Sequence, residues 1–210
     1  MILKTLYDHT LSDVIETDKS ITKQEAEKLF TFFKNCKSFR WADANNNCEG
    51  RANAVCILLD EWNIQNGKGW AFSGYFFKKT GYLKNLWKYH VAALLPVKEE
   101  GKVNYYIIDP STSDKLLNVT DWAANITDNP HSYYLIKNGD YYIFNQGKVE
   151  KDSWHKRNKR NYKWTIQGLS GINGVSGKGK AQLVFNKNKV LETKRLFEEL
   201  KNLKPAIGLT

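Results

Sequence analysis

Three residues of this chain carry side chains that could do covalent chemistry together. They are Cys48 in NNNCEGRANA, His90 in LWKYHVAALLP and Asp109 in YYIIDPS. A thiol, an imidazole and a carboxylate are the parts of a cysteine-nucleophile site, in which a base activates the thiol and a third group orients the base. Each residue alone has a plainer reading: Cys48 as a small buried hydrophobe, His90 as a half-buried strand histidine, Asp109 as a turn residue before Pro110. Taken jointly, with the thiol at a helix start, the catalytic reading is preferred.

Neighbouring residues indicate how the thiol would be held. Asn45, Asn46 and Asn47 offer an N-cap, because an Asn side chain accepts from the exposed amides of a first helical turn. Cys48 then opens a helix whose buried stripe is Ala52, Val55, Leu58, Leu59 and Trp62, and which stops by Gly67. Unsatisfied amides and the positive end of the helix dipole favour a thiolate at that position. The offsets from Cys48 to Ala52, Val55 and Leu59 turn the sulfur inward, toward a sheet. Three asparagines, Glu49, Gly50 and Arg51 make a polar flank that argues against a dry core position. Cys56, inside AVCILL, and Cys36, near a helix end with no polar site around it, read as structural thiols.

His90 and Asp109 fall on consecutive strands, 89–97 and 103–108, around Lys98-Glu-Glu-Gly-Lys102. A loop of residues 98–101 pairs Val97 with Lys102, and the same register pairs His90 with Asp109. Their Cβ atoms would then stand roughly 4.5–5.5 Å apart on one face. A one-residue slip would put them on opposite faces, and a bulged three-residue loop at Gly101 is the alternative. Pro110 forces Asp109 into an extended conformation and ends the strand.

Elsewhere, Thr22 and Glu25 form a capping box before Ala26, Leu29, Phe30 and Phe33, which recur at helical spacing, so a helix is expected to end near Cys36. Residues 70–77 read as a further strand. Residues 133–136 and 141–144 read as a hairpin around Asn138-Gly139, and 162–167 is a further strand candidate. Residues 170–180, rich in Gly and Ser, read as a mobile connection, and 190–203 as a closing helix ended by Pro205. Two helices followed by a mostly antiparallel sheet give an α+β domain. The expected organisation is an N-terminal arm over 1–18, a catalytic domain over 19–175, and a C-terminal extension over 176–210 packed on the same domain.

Composition narrows the function classes. With 210 residues, 41% hydrophobic and 13% aromatic, the chain can bury a sizeable core, which excludes wholesale disorder. No apolar run approaches the roughly 18 residues of a membrane span. The first residues are charged and polar too early for a secretory leader, so the expectation is a mature or truncated form, another export route, or a chain that stays inside. Three cysteines do not make a disulfide framework. The formal charge of +10 is densest at HKRNKR, residues 155–160, between Trp154 and Tyr162. That stretch could attract nucleic acid, an anionic membrane or an acidic protein. Lysine is abundant throughout, so a solvated surface loop is the preferred reading and nucleic acid is disfavoured as a partner.

The islands resemble the bacterial protein-glutaminases, which deamidate glutamine side chains in proteins. The matching features are Cys48 followed by Arg51-Ala52, then Trp87-x-Tyr89-His90-Val91-Ala92, then Ile107-Ile108-Asp109-Pro110-Ser111. LFTFFKN, Phe39-Arg40 and Asp121-Trp122 are also similar, and the resemblance runs from about Thr22 to Gly174 with gaps. It implies a papain- or transglutaminase-like core with the nucleophile at a helix N-terminus, and a triad carried here by Cys48, His90 and Asp109. It also implies no metal and no organic cofactor, a glutamine-bearing protein or peptide as substrate, and secretion or delivery to a target cell. A monomer is expected. The loop before Cys48, the paucity of cysteines and the C-terminal helix depart from the family pattern.

On this reading Cys48 attacks the glutamine carboxamide, and His90, oriented by Asp109, protonates the departing ammonia and then activates water. The Cys48 backbone N–H is a natural oxyanion donor, and the second is left to the loop of residues 41–47. Trp87 and Tyr89, with Asn47, are candidates for the walls of the substrate slot, although strand aromatics are more often core. A peptidase or a transglutaminase would use the same triad, and a delivered toxin or effector could share the deamidase chemistry. The non-enzyme alternative is a basic nucleic-acid-binding module.

Overall fold

The computed structural model describes residues 4–5, 19–43, 47–73, 87–127, 132–143, 149–151, 159–171 and 180–204. The capping box is made: the Glu25 amide donates to Thr22 Oγ1 (3.2 Å) and the Thr22 amide donates to Glu25 Oε2 (2.8 Å). Helix α1 (Lys23–Asn35) follows, burying Ala26, Leu29, Phe30 and Phe33, and Cys36 caps its end. A 3-10 turn at Lys37–Phe39 leads toward α2 (Cys48–Glu61). Helix α2 is enclosed on most sides, with Gly50–Cys56, Leu58 and Leu59 all buried. Enclosure removes the pressure for a one-sided apolar stripe, so Arg51 and Asn53 lie inside along with the expected residues.

Among the described residues seven strands form the main sheet: β1 (Lys4–Thr5), β2 (Ile21–Thr22), β3 (Gly67–Phe72), β4 (Tyr89–Glu99), β5 (Lys102–Ile108), β6 (Leu117–Asn118) and β7 (Tyr133–Asn138). Their order is β1-β7-β3-β4-β5-β6, with β2 also beside β4, and only the β1–β7 and β2–β4 pairings are parallel. The alternation of β4 divides the core. Ala93, Leu95 and Val97 face α1 and α2, whereas Ala92 and Leu94 pack with Ile107 against Trp122, Ala123 and Ile126 of α3 (Val119–Ile126). The architecture is α+β with a mostly antiparallel sheet.

The β4–β5 register differs from the expected one. Glu99 pairs with Lys102 and Ala93 with Ile108, so the loop is the two residues Glu100-Gly101. Both have positive φ (48° and 79°), as a type I′ turn requires. The ladder is thereby displaced by two residues, which leaves every side chain on the face already assigned to it.

Three further expectations are corrected. The strand β8 (Tyr141–Ile143) after Asn138-Gly139 pairs not with β7 but with β9 (Val149–Lys151), in a separate two-stranded sheet. One edge of β7 is fully paired to β3, and β1 holds Tyr133 and Tyr134, so β7 takes its partners from distant sequence. Residues 162–167 are helical, within α4 (Lys159–Leu169), where Ile166 and Leu169 enter the core and Tyr162 packs against it. Tyr162, Thr165, Ile166 and Leu169 share the inward helical face, while Trp164 is half exposed on the other side. The closing helix is α5 (Lys180–Lys201), which begins ten residues earlier than expected. Phe197 joins the α1/α2 core, Trp62 Nε1 donates to Lys201 O (2.8 Å) and Lys204 Nζ donates to Trp62 O (2.8 Å). Residues 74–77 of the strand expected over 70–77, residues 155–158 of the basic stretch and 172–179 of the Gly/Ser-rich connection lie outside the described residues. Among the described residues no helix is long and apolar enough to cross a membrane.

Candidate active site

Cys48 is the first residue of α2 and is half-buried against a cluster of Ala52, Trp70, Phe72 and Val91. Asn47 precedes it in the left-handed region (φ 74°, ψ 29°), a conformation Asn tolerates better than most residues. Its carbonyl accepts the first intrahelical bond, from the Arg51 amide at 3.0 Å. The expected side-chain cap is absent: the Asn47 side chain accepts from no amide of the first turn. It is packed instead against Gly50 and against Gly168 of α4, where a Cβ on either glycine would overlap the Asn47 amide.

His90 and Asp109 are 1% and 3% exposed, so their interaction is formed almost wholly out of water. His90 Nε2 lies 2.8 Å from Asp109 Oδ2. Engagement of Nε2 by the carboxylate leaves Nδ1 as the nitrogen able to exchange a proton with a thiol. Asp109 follows the last paired residue of β5, and continuing the ladder would set it opposite Ala92, so it reaches His90 along the strand diagonal. Three other donors converge on the carboxylate: Trp122 Nε1 (2.9 Å) and Thr112 Oγ1 (2.6 Å) on Oδ2, and Ser111 Oγ (2.5 Å) on Oδ1. The amides of Thr112 and Ser113 donate to the Asp109 carbonyl, closing the turn that Pro110 begins. Asn118 caps α3 by accepting from the Asp121 amide (2.9 Å), and this fixes the helix that presents Trp122.

The electrostatics follow from burial and pairing. Burial works to lower the pKa of His90, but the Asp109 charge and hydrogen bond outweigh it, and Cys48 adds to them, so the imidazole is pushed up to about 9. Burial works to raise Asp109, yet the His90 charge and the hydrogen bonds from His90, Ser111 and Thr112 hold it well below the usual carboxylate range. Burial pushes the Cys36 thiol up to about 11 and the Cys56 thiol up to about 12.

Trp87 is half-buried and stacks on the His90 ring, with centroids 4.4 Å apart and planes 13° apart. Tyr89 points to the other face of β4, packing against Trp70 and Phe72, and its hydroxyl engages Glu49. Trp87 is thus beside the imidazole, and Tyr89 lies on the α2 side, where Glu49 and Cys48 act on its hydroxyl. Sequence reasoning assigned no role to Trp122, Ser111, Thr112 or Arg51. The first three are donors to Asp109. Arg51, 3% exposed, donates from Nη1 to Asp43 O (2.9 Å), and its guanidinium feels the charges of Cys48 and Asp109. The available signals were the Asp-Pro-Ser-Thr turn and an arginine three residues after the thiol, ahead of the apolar run of α2. Among the described residues no group of three or more His, Cys, Asp or Glu could hold a metal ion.

Residues 26–126, a little under half of the chain, match the family model described as glutaminase. No curated protein sequence matches the chain. Among solved structures, the fold is similar to protein-glutaminase from Chryseobacterium proteolyticum determined by NMR, at 21% identity over 76% of this chain and 92% of that one, with a TM-score of 0.50. A crystal structure of protein-glutaminase matches at 20% identity, over 77% of this chain and 98% of that one, with a TM-score of 0.52. A crystal structure of pro-protein-glutaminase matches at 19% identity over 84% and 66%, with a TM-score of 0.52. The chain is therefore similar in sequence to the glutaminase family model over 26–126, and its fold is that of the protein-glutaminase structures.

Proposed function

We propose that this chain is a protein-glutamine deamidase, with Cys48, His90 and Asp109 as its triad and residues 19–175 as its catalytic unit. The observation that carries the reading is the buried His90–Asp109 pair, whose imidazole also interacts with a thiol at a helix N-terminus. The glutaminase family match supports an amide of glutamine as the bond attacked.

Cys48 Sγ⁻ attacks the side-chain carboxamide carbon, and the carbonyl oxygen takes up the negative charge. The Cys48 N–H, at the open start of α2, supports that oxyanion. His90, protonated in the resting pair, gives its proton to the departing nitrogen, and ammonia leaves with collapse to a thioester. Neutral His90 then removes a proton from water, the resulting hydroxide attacks the thioester, and the thiolate leaves glutamate behind. Asp109 keeps Nε2 engaged throughout, so the ring meets sulfur, leaving nitrogen and water with one edge. Trp87, stacked on that ring, restrains its tilt and forms one wall of the slot.

Intact-mass analysis of a glutamine-containing protein after incubation tests the reading. The expected result is a gain of about one dalton per site with ammonia released and no new chain ends, all lost in Cys48→Ala. New peptide ends would assign a peptidase instead, and crosslinks a transglutaminase. Salt-sensitive nucleic-acid binding that survives Cys48→Ala, with no mass change, would overturn the enzymatic reading.

A further inference from the structure

We infer that the C-terminal turn of α4 is a positioning element for the nucleophile: Gly168, together with Gly50, forms a slot that seats the Asn47 side chain and holds it off the first amides of α2. The inference rests on the reading of Cys48 as the nucleophile. It names a contribution from residues beyond the stretch matched by the glutaminase family model.

Three observations converge. Asn47 is left-handed and does not cap, although Asn is among the best capping residues and stands at the capping position. Its amide occupies the space where side chains at Gly50 and Gly168 would begin. The turn that follows α4 makes a second seat: the Arg40 guanidinium lies where a Cβ of Gly171 would be, and both Arg40 (φ 51°) and Gly171 (φ 70°) are left-handed. Between the seats lies a cavity of about 60 Å³ lined by Phe39, Asp43, Arg51 and Leu169 together with the seated residues. Arg40 and Asn47 thus rest on the end of α4 and on the turn after it.

The consequence is chemical. A capping side chain would accept from the N2 or N3 amide of α2, the end of the helix to which the thiolate and the substrate oxyanion are exposed. Seating Asn47 on Gly168 removes that competing acceptor. A methyl group at position 168 would expel the Asn47 amide and push it back toward the cap.

A double-variant cycle between Gly168→Ala and Asn47→Gly tests this. Glycine at 47 retains the left-handed conformation and leaves nothing for the methyl to meet. Two rates are read: ammonia release, and modification of Cys48 by iodoacetamide located by peptide mass. Gly168→Ala is expected to lower kcat about tenfold with KM little changed, a smaller loss than the roughly hundredfold cost of deleting an oxyanion donor. Cys48 modification should slow in parallel. In the Asn47→Gly background the same substitution should change each rate less than about twofold, the cycle then giving the coupling. Equal losses in both backgrounds, or wild-type rates in Gly168→Ala, would overturn the inference. If Gly168→Ala alone does not fold, the cycle is read by thermal unfolding: the double variant must regain the folded state, and failure to do so overturns it. Wild-type modification of Cys48 without ammonia release would sink the proposed function while leaving the thiol readout of this inference intact.

Discussion

The buried His90–Asp109 pair should impose a pH dependence on stability that Asp109→Asn abolishes. His90 rises to about 9 from an ordinary 6.5, which corresponds to ~3 kcal/mol of preference for imidazolium in the folded chain. Below pH 6.5 the ring is protonated in both folded and unfolded chains, and this stabilisation is present in full. Between pH 6.5 and about 9 only the folded chain keeps the proton, so stability falls by ~1.4 kcal/mol per pH unit. Asp109, held below the carboxylate range, contributes above its ordinary 3.8 and loses that contribution as pH falls toward its folded value. Lys68 opposes the alkaline loss, because burial lowers its pKa to about 8, so stability returns as pH climbs above that value. The measurement is therefore a difference: urea unfolding of wild type and Asp109→Asn at several pH values. Without the anion, burial prevails at His90 and its titration moves below 6.5. The stability gap between the two proteins should then shrink by ~3 kcal/mol from pH 6.5 to 9. A gap constant across that range would refute the reasoning. The same loss of imidazolium preference should lower ammonia release at neutral pH on the order of 100-fold.

Trp122→Phe keeps the aromatic ring and removes one donor from Asp109, and should cost ~1–3 kcal/mol in urea unfolding. Because Trp122 lies behind the carboxylate, kcat should fall while KM holds, and the reverse split would count against its role. Thr22→Ala breaks the capping box and should cost ~1 kcal/mol, visible as a lower Tm. Thr22 sits beside Lys98, at the far end of β4 from His90, so ammonia release should stay at the wild-type rate.

What was legible in the residues was local. The box at Thr22 and Glu25 involves groups three positions apart, so its chemistry is readable without a partner. The faces of β4 and β5 were readable because side chains alternate with period two, and a register error of two residues leaves parity untouched. The register itself was not, because choosing a two-residue type I′ turn requires Glu100 to accept a positive φ that its own propensity does not announce. Strand partners were the least legible. Asn138-Gly139 carries a hairpin signal, yet β7 pairs with β3 because Gly67–Phe72 presents a buried edge along its whole length.

The candidate site divides in the same way. Cys48 at the start of an inward helix, and His90 with Asp109 on one face of adjacent strands, follow from periodicity and from Pro110 ending β5. The conformation of Asn47 and the three extra donors on Asp109 do not. They come from Gly168 on α4 and from Trp122 on α3, distant elements brought in by burial, together with a turn at Ser111 and Thr112. Sequence by itself determined which side chains are offered and to which face. The packed core decided what those side chains touch, because buried polar groups take their hydrogen-bond partners from whatever elements exclude water around them.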